Sequence, residues 1–209
     1  MNKLILSCIT IVFSVFISYA QENYKSFYTN GKIKEEGKID KNYNRTGKWK
    51  EYRENGQLFT LKKYKKGKQN GKEKSFYDNG NLAACYKYKN YKLTGKKISY
   101  HKNRRKSEIG YYNNNGKTGK WTRYYENGQL SSVERYDENG DYSGEFTTYY
   151  DNGQLASIHY YENRELFGES DIYYKNGKLK QCEMYIYGEK IGECEYYDDQ
   201  GNLIETKKY

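Results

Sequence analysis

The sequence predicts an all-β chain, an elongated single-layer antiparallel meander of β-hairpin repeats of about 24 residues. Three observations predict it. First, Asn-Gly recurs at Gly31, Gly56, Gly80, Gly128, Gly153 and Gly177, and as Gln200-Gly201 at the end, in steps of 24 or 25 residues. The one double step, from Gly80 to Gly128, has Asn103-Arg104 at its middle. Second, another glycine keeps the same period at Gly47, Gly71, Gly95, Gly119, Gly144, Gly168 and Gly192. Third, the runs between them are rich in Tyr and β-branched residues, and the chain holds 28 Tyr and no Pro. A fixed period in this range marks a repeat architecture. Asn-Gly between strand-like runs marks a hairpin, because the turn needs a positive φ that Gly adopts without steric cost. Breakers this frequent leave no room for a stable helix.

Residues 1–20 read as a secretory signal peptide. Lys3 gives the positive start, Leu4 to Ile17 the apolar run, and Ser18-Tyr19-Ala20 a small-residue cleavage site. Residues 21–209 then form the repeat domain, outside the cytoplasm, either secreted or periplasmic. No later segment reaches the ~20 apolar residues of a membrane-spanning helix. Tyr24 to Tyr28 reads as an opening strand. In each unit the first strand carries an aromatic five residues after the second glycine: Tyr52, Phe76, Tyr100, Tyr124, Tyr149, Tyr173 and Tyr197. This row is the expected stripe of apolar packing. Two residues after that glycine come Trp49, Glu73, Lys97, Trp121, Phe146, Ser170 and Cys194, so this position is only sometimes large. In the second strand, apolar positions three residues apart depart from the plain alternation of a strand. A β-bulge in every repeat would reconcile them, at a place the spacing does not fix. Short second turns, such as Lys66-Gly67 and Tyr187-Gly188, join unit to unit and exclude parallel crossovers. About 15 or 16 strands at ~4.8 Å give a sheet on the order of 70 Å long.

The Tyr-x-x-Asn-Gly-x-Leu turns and the Gly-Lys-Trp starts, as in Gly119-Lys120-Trp121, resemble the MORN repeat, in its bacterial variant found in the YwqK-like antitoxin family. The resemblance covers residues 27–209. It implies a ribbon of hairpins serving as a scaffold for protein or lipid contacts. In the YwqK-like group it implies neutralising a partner toxin. Glu73, Lys97, Ser170 and Cys194 depart from the pattern, which has an aromatic there, so the stripe at that position is interrupted.

The net charge of +10 is divided unevenly. Residues 21–124 hold 28 Lys and Arg against 9 Asp and Glu, and residues 125–209 hold 8 against 18. Such asymmetry points to different partners or to self-association at the two ends. Basic residues interleaved with aromatics also describe nucleic-acid surfaces, but secretion and the acidic second half count against that. A protein partner or an anionic envelope component suits the basic face better. Weak head-to-tail self-association follows from the opposed charges and the two open edges. No catalytic, cofactor or metal constellation stands out. The two histidines, His101 and His159, occupy non-equivalent positions and read as solvated residues. Cys182 and Cys194 lie on adjacent strands and are candidates for a disulfide, with a small core residue as the other reading of Cys182. Lys102, Arg104, Arg105 and Lys106, in the unit that has lost its glycine, form either an anion-binding turn or a decayed repeat. The sequence as a whole reads as a non-enzymatic binding scaffold, with an antitoxin or immunity protein as the alternative.

Overall fold

The computed structural model describes residues 21–209. The signal-peptide expectation lies outside them. The strands, in order, are β1 (Glu22–Phe27), β2 (Ile33–Ile39), β3 (Arg45–Tyr52), β4 (Leu58–Lys65), β5 (Lys68–Gln69), β6 (Gly71–Phe76), β7 (Leu82–Lys89), β8 (Lys92–Leu93), β9 (Gly95–Tyr100) and β10 (Lys106–Asn113). They continue with β11 (Gly116–Tyr124), β12 (Leu130–Tyr136), β13 (Gly144–Tyr149), β14 (Leu155–Glu162), β15 (Glu165–Leu166), β16 (Gly168–Tyr173), β17 (Leu179–Ile186), β18 (Glu189–Tyr197) and β19 (Leu203–Lys208). All belong to one antiparallel sheet of 19 strands in which sequence neighbours pair, except that β6, β9 and β16 pair back to β4, β7 and β14, a meander as the sequence predicts. Three of the 19, namely β5, β8 and β15, are two-residue starts cut off from the next strand just before the second glycine of their units.

The first turn is a three-residue loop. Gly31 N–H donates to Tyr28 O and Tyr28 N–H to Lys32 O, with Gly31 at φ +79°, and the same pair of bonds recurs down the chain. Asn precedes that glycine for a separate reason. Its Oδ1 accepts from the backbone N–H two residues on, as in Asn30 to Lys32 and Asn127 to Gln129. In most units its Nδ2 also donates to a carbonyl of the next unit, as Asn127 does to Asp151. Among the second turns, Lys66-Gly67, Asn90-Tyr91, Asn163-Arg164 and Tyr187-Gly188 have positive φ at both residues, the tight two-residue form, whereas Asp40–Asn44 and Asp137–Asp141 repeat the bonds of the first turn.

The bulge lies directly after the first residue of each second strand, a leucine in most units, Ile33 in β2 and Lys106 in β10. Tyr52 pairs with Leu58 and Glu51 with Thr60, leaving Phe59 extra. Tyr124 pairs with Leu130 and Arg123 with Ser132, leaving Ser131 extra. The same step recurs at each first turn, and it accounts for the spacing of three.

The two faces of the sheet differ. On one, the tryptophan face, the position two residues after the second glycine is buried in four units, with Trp49 1% exposed, Trp121 0%, Ser170 2% and Cys194 0%, and half-buried at Glu73, Lys97 and Phe146. The expectation that the core follows the recurring aromatic stripe is corrected here. Tyr52, Phe76, Tyr100, Tyr124, Tyr149, Tyr173 and Tyr197 all lie on the opposite face and are only half-buried. A single-layer sheet covers its deepest side chains with cross-strand neighbours on the same face. Each tryptophan ring lies over a glycine of the preceding strand, Trp49 over Gly37 and Trp121 over Gly110. Trp121 is flanked by Tyr112 and Tyr136, with centroids 5.1 and 6.2 Å away.

Units are locked by a ladder of side chains three residues before the turn glycine. Tyr28 Oη donates to Tyr52 O, Tyr77 to Tyr100 O, Tyr125 to Tyr149 O and Tyr150 to Tyr173 O, each at 2.7 Å, and Tyr174 to Tyr197 O at 2.8 Å. Arg53 and His101 fill the same rung in their units, on Phe76 O and Tyr124 O. Tyr125→Phe should therefore lower stability by about 1 kcal/mol, the net worth of one such bond. Urea unfolding checks this; an unchanged midpoint would remove the ladder from the account.

Candidate functional site

On the tryptophan face the charges neutralise one another. Arg45 meets Glu35 at 2.7 Å and Glu51 at 3.8 Å, and Lys62 meets Glu51 at 2.7 Å. Further along, Lys97 pairs with Glu108, Arg123 bridges Glu108 and Glu134, and Lys117 lies 3.8 Å from Glu134. Glu134 is only 1% exposed, and Tyr136 Oη donates to it at 2.7 Å. Burial lowers the Lys117 ammonium below its ordinary pKa, and repulsion from Arg123 adds to it. That cation sits between the Trp121 and Tyr136 rings, at 4.4 and 4.9 Å. Burial works to raise the Glu108 carboxyl, but Lys97 and Arg123 hold it below the usual carboxylate range. A network whose members all satisfy one another supports structure and offers no free group for chemistry.

Neither histidine is the solvated residue the sequence suggested. His101 Nε2 lies 2.8 Å from Tyr124 O, so that nitrogen carries the proton and fills a rung of the ladder. His159 is half-buried, with Nδ1 2.8 Å from Ser170 Oγ. Burial lowers its pKa below the ordinary value. The unfolded chain then takes up the proton first, so stability should fall as pH drops through about 6.5. Glu51, Glu108 and Glu183 have lowered pKa values, so their contribution is present above about 4.5 and is lost as pH falls further. Thermal unfolding from pH 7.5 to 5.5 should show the first loss, and His159→Gln should flatten it. An unchanged slope in that variant would contradict the assignment.

Cys182 and Cys194 do not meet. Cys182 pairs across the sheet with Glu195, so Cys194, next to Glu195 in β18, projects from the other face. Both thiols are free, and the disulfide expectation is corrected on that register. Cys182 instead lies within 4.8 Å of Glu169 and Asp171. Burial and the two carboxylates push its pKa up to about 12, which keeps the thiol protonated, a weak nucleophile and a weak ligand.

Among Lys102, Arg104, Arg105 and Lys106, the first three reach neighbouring units. Arg104 takes φ +71°, holding the turn where other units have glycine, and its Nε donates to Asn81 Oδ1 at 3.0 Å. Arg105 donates to the carbonyls of Glu126 and Asn127, and Lys102 lies 3.4 Å from Asp78. Lys106 is exposed beside a shallow hollow lined by Arg105, Tyr124 and Gly128. The turn remains in register with its neighbours.

The opposite face is charged differently. Lys48, Lys72, Lys96 and Lys120 each follow a second glycine and form a column along the ribbon. Lys63, Lys87 and Arg135 stand directly opposite Lys48, Lys72 and Lys120 on the next strands, and Tyr111 stands opposite Lys96. All seven cations are exposed, and none enters an ion pair among the described residues. In the acidic half the first column continues as Glu145, Glu169 and Glu193.

The model of the MORN repeat variant family matches residues 23–40, 45–66, 69–90, 117–138, 142–163 and 168–187, more than half of the chain. The chain belongs to the MORN repeat variant family. The unmatched stretch between 90 and 117 contains the unit that lost its glycine, and the structure nevertheless builds a MORN-variant hairpin there, with β9 paired to β10 and β10 to β11. No curated protein matches the chain. Among solved structures, a chain of the crystal structure of TcdB2-TccC3-Cdc42 is 14% identical over 90% of this chain and 12% of that one, with a TM-score of 0.27. This chain therefore corresponds to a small part of that protein's length.

Proposed function

We propose that this chain is a non-enzymatic scaffold that acts outside the cytoplasm and binds a protein partner or an anionic envelope surface. One observation carries the reading: the tryptophan face neutralises its own charge, whereas the opposite face leaves seven exposed cations without ion-pair partners among the described residues. Membership of a repeat family whose units stack into an extended surface supports it. The chain as bait in a pull-down from the envelope fraction tests it. Recovery of an envelope component, with binding that survives loss of any one carboxylate, is the expected result. Turnover of an envelope glycan, abolished by a single substitution, would overturn the non-enzymatic reading. A tight one-to-one complex with a toxin encoded beside this chain would instead favour the sequestering role that the YwqK-like resemblance implies.

Weak head-to-tail contact between copies belongs to the same proposal. Among the described residues the outer edges of β1 and β19 are unpaired, with the basic half around one and the acidic half around the other. The last unit has Asp198 and Gln200 where earlier units have the Tyr and Asn that donate to the next unit. Asp198 instead accepts from the backbone N–H of Gln200 and Asn202 within its own turn. Contact between copies therefore lacks that side-chain ladder and rests on backbone pairing and opposite charge. Sedimentation velocity at ~0.02 M and ~1 M salt tests it, since screening shortens from tens of Å to about 3 Å over that range. A single monomer boundary at low salt would remove it.

A further inference from the structure

We infer that the paired cation columns are a track for a sparse linear polyanion, an acidic polysaccharide bearing a carboxylate or sulfate on its sugars. The inference rests on the scaffold reading and adds a site and a ligand class to it.

Like charges directly opposite on neighbouring strands destabilise a sheet. Lys48 against Lys63, Lys72 against Lys87 and Lys120 against Arg135 are three such pairs in register. The same chain places carboxylates against cations on its other face, so the pairs are not forced by composition. The cations are also held in place by their stems. A Cβ on Gly71 would meet the Lys63 stem at 2.9 Å, one on Gly95 the Lys87 stem at 3.3 Å, and one on Gly144 the Arg135 stem at 3.6 Å. Each side chain thus lies across the glycine that opens the next unit, with its charged end in solvent. A hollow of about 470 Å³ lined by Lys48, Leu61, Lys63 and Lys72 lies along the columns.

The shape of the array selects the ligand. Successive units are two strand spacings apart, so Lys48, Lys72, Lys96 and Lys120 repeat every ~10 Å along a line, the third without an opposed cation, and Lys48 and Lys120 are on the order of 30 Å apart. The line ends where the column turns to Glu145. A flat membrane would contact the acidic continuation, Glu145, Glu169 and Glu193, as well as the lysines. Single-stranded nucleic acid is held by exposed aromatics interleaved with cations; Tyr111 is the exposed aromatic within these columns, and the row Tyr52, Phe76, Tyr100 and Tyr124 on the same face is half-buried, which leaves few ring faces free to stack on bases. A flexible polymer with charges on spaced sugars follows the line and stops where it stops.

The test uses the full chain and polygalacturonate, with dextran, oligo-dT and phosphatidylglycerol vesicles as comparisons. Binding to polygalacturonate at ~0.02 M salt is expected, weakening steeply toward ~0.5 M as charge is screened. The K48Q/K63Q/K72Q/K87Q variant should bind at least tenfold more weakly while keeping its circular dichroism spectrum. K175Q/K178Q, in the acidic half, should bind as the parent does. Equal binding by the fourfold variant, no binding at low salt, or tighter binding to oligo-dT or vesicles would each overturn the inference. Should polygalacturonate fail while an envelope component is still recovered by pull-down, only this inference falls and the scaffold reading stands.

Discussion

Trp121→Ala should lower the stability of the chain by about 3–5 kcal/mol, the largest loss expected from any single truncation here. The ring is fully buried, yet the sheet has one layer, so nothing behind it can collapse into the space. Its loss would also free Lys117, which packs on the ring face, and remove the bond from Trp121 Nε1 to Tyr111 O at 3.1 Å. Tyr124→Ala, three residues on, should cost measurably less, because that ring is half-buried on the other face. Urea denaturation of both variants decides the matter. Equal midpoints would return the core to the recurring aromatic stripe.

Gly110→Ala should destabilise by about 1–3 kcal/mol through overpacking. A Cβ there would sit 2.1 Å from Trp121 Cδ2 and 2.3 Å from Cε2, and the ring cannot retreat because Tyr112, Tyr136 and Lys117 surround it. The effect is steric, since φ at Gly110 is not positive. In a Trp121→Ala background the same change should therefore cost little. A double-mutant cycle measures this coupling. A loss of equal size with and without the tryptophan would show that the glycine serves the backbone and not the ring.

Much of this fold was legible in the sequence because its punctuation is chemical. The turn glycines, the period and the short connections define an antiparallel meander before any contact is known. The bulge after Leu58, Leu130 and their equivalents was legible as a spacing anomaly but not as a place, since register alone locates it. The depth of the Trp49 and Trp121 position was missed for a physical reason. Conservative recurrence suggested the core, whereas burial at this position comes from complementary pairs: Trp49 with Gly37, Trp121 with Gly110, Ser170 with His159. A signal existed. Gly37 and Gly110 belong to neither glycine series, and each lies six residues after the turn position of a unit whose successor carries Trp. The cysteine expectation failed on the same missing fact, because adjacency of strands does not say which face a residue takes. The lysine columns were visible as an excess of charge, but their pairing required the register.

The sheet is divided between a face that holds it together and a face that is left free. The urea midpoint of K48Q/K63Q/K72Q/K87Q tests that division most directly, because removing opposed like charges relieves repulsion and breaks no ion pair among the described residues. A midpoint equal to or above that of the parent chain is expected. A midpoint lowered by as much as that of Trp121→Ala would mean the lysines serve the fold, and would contradict that division.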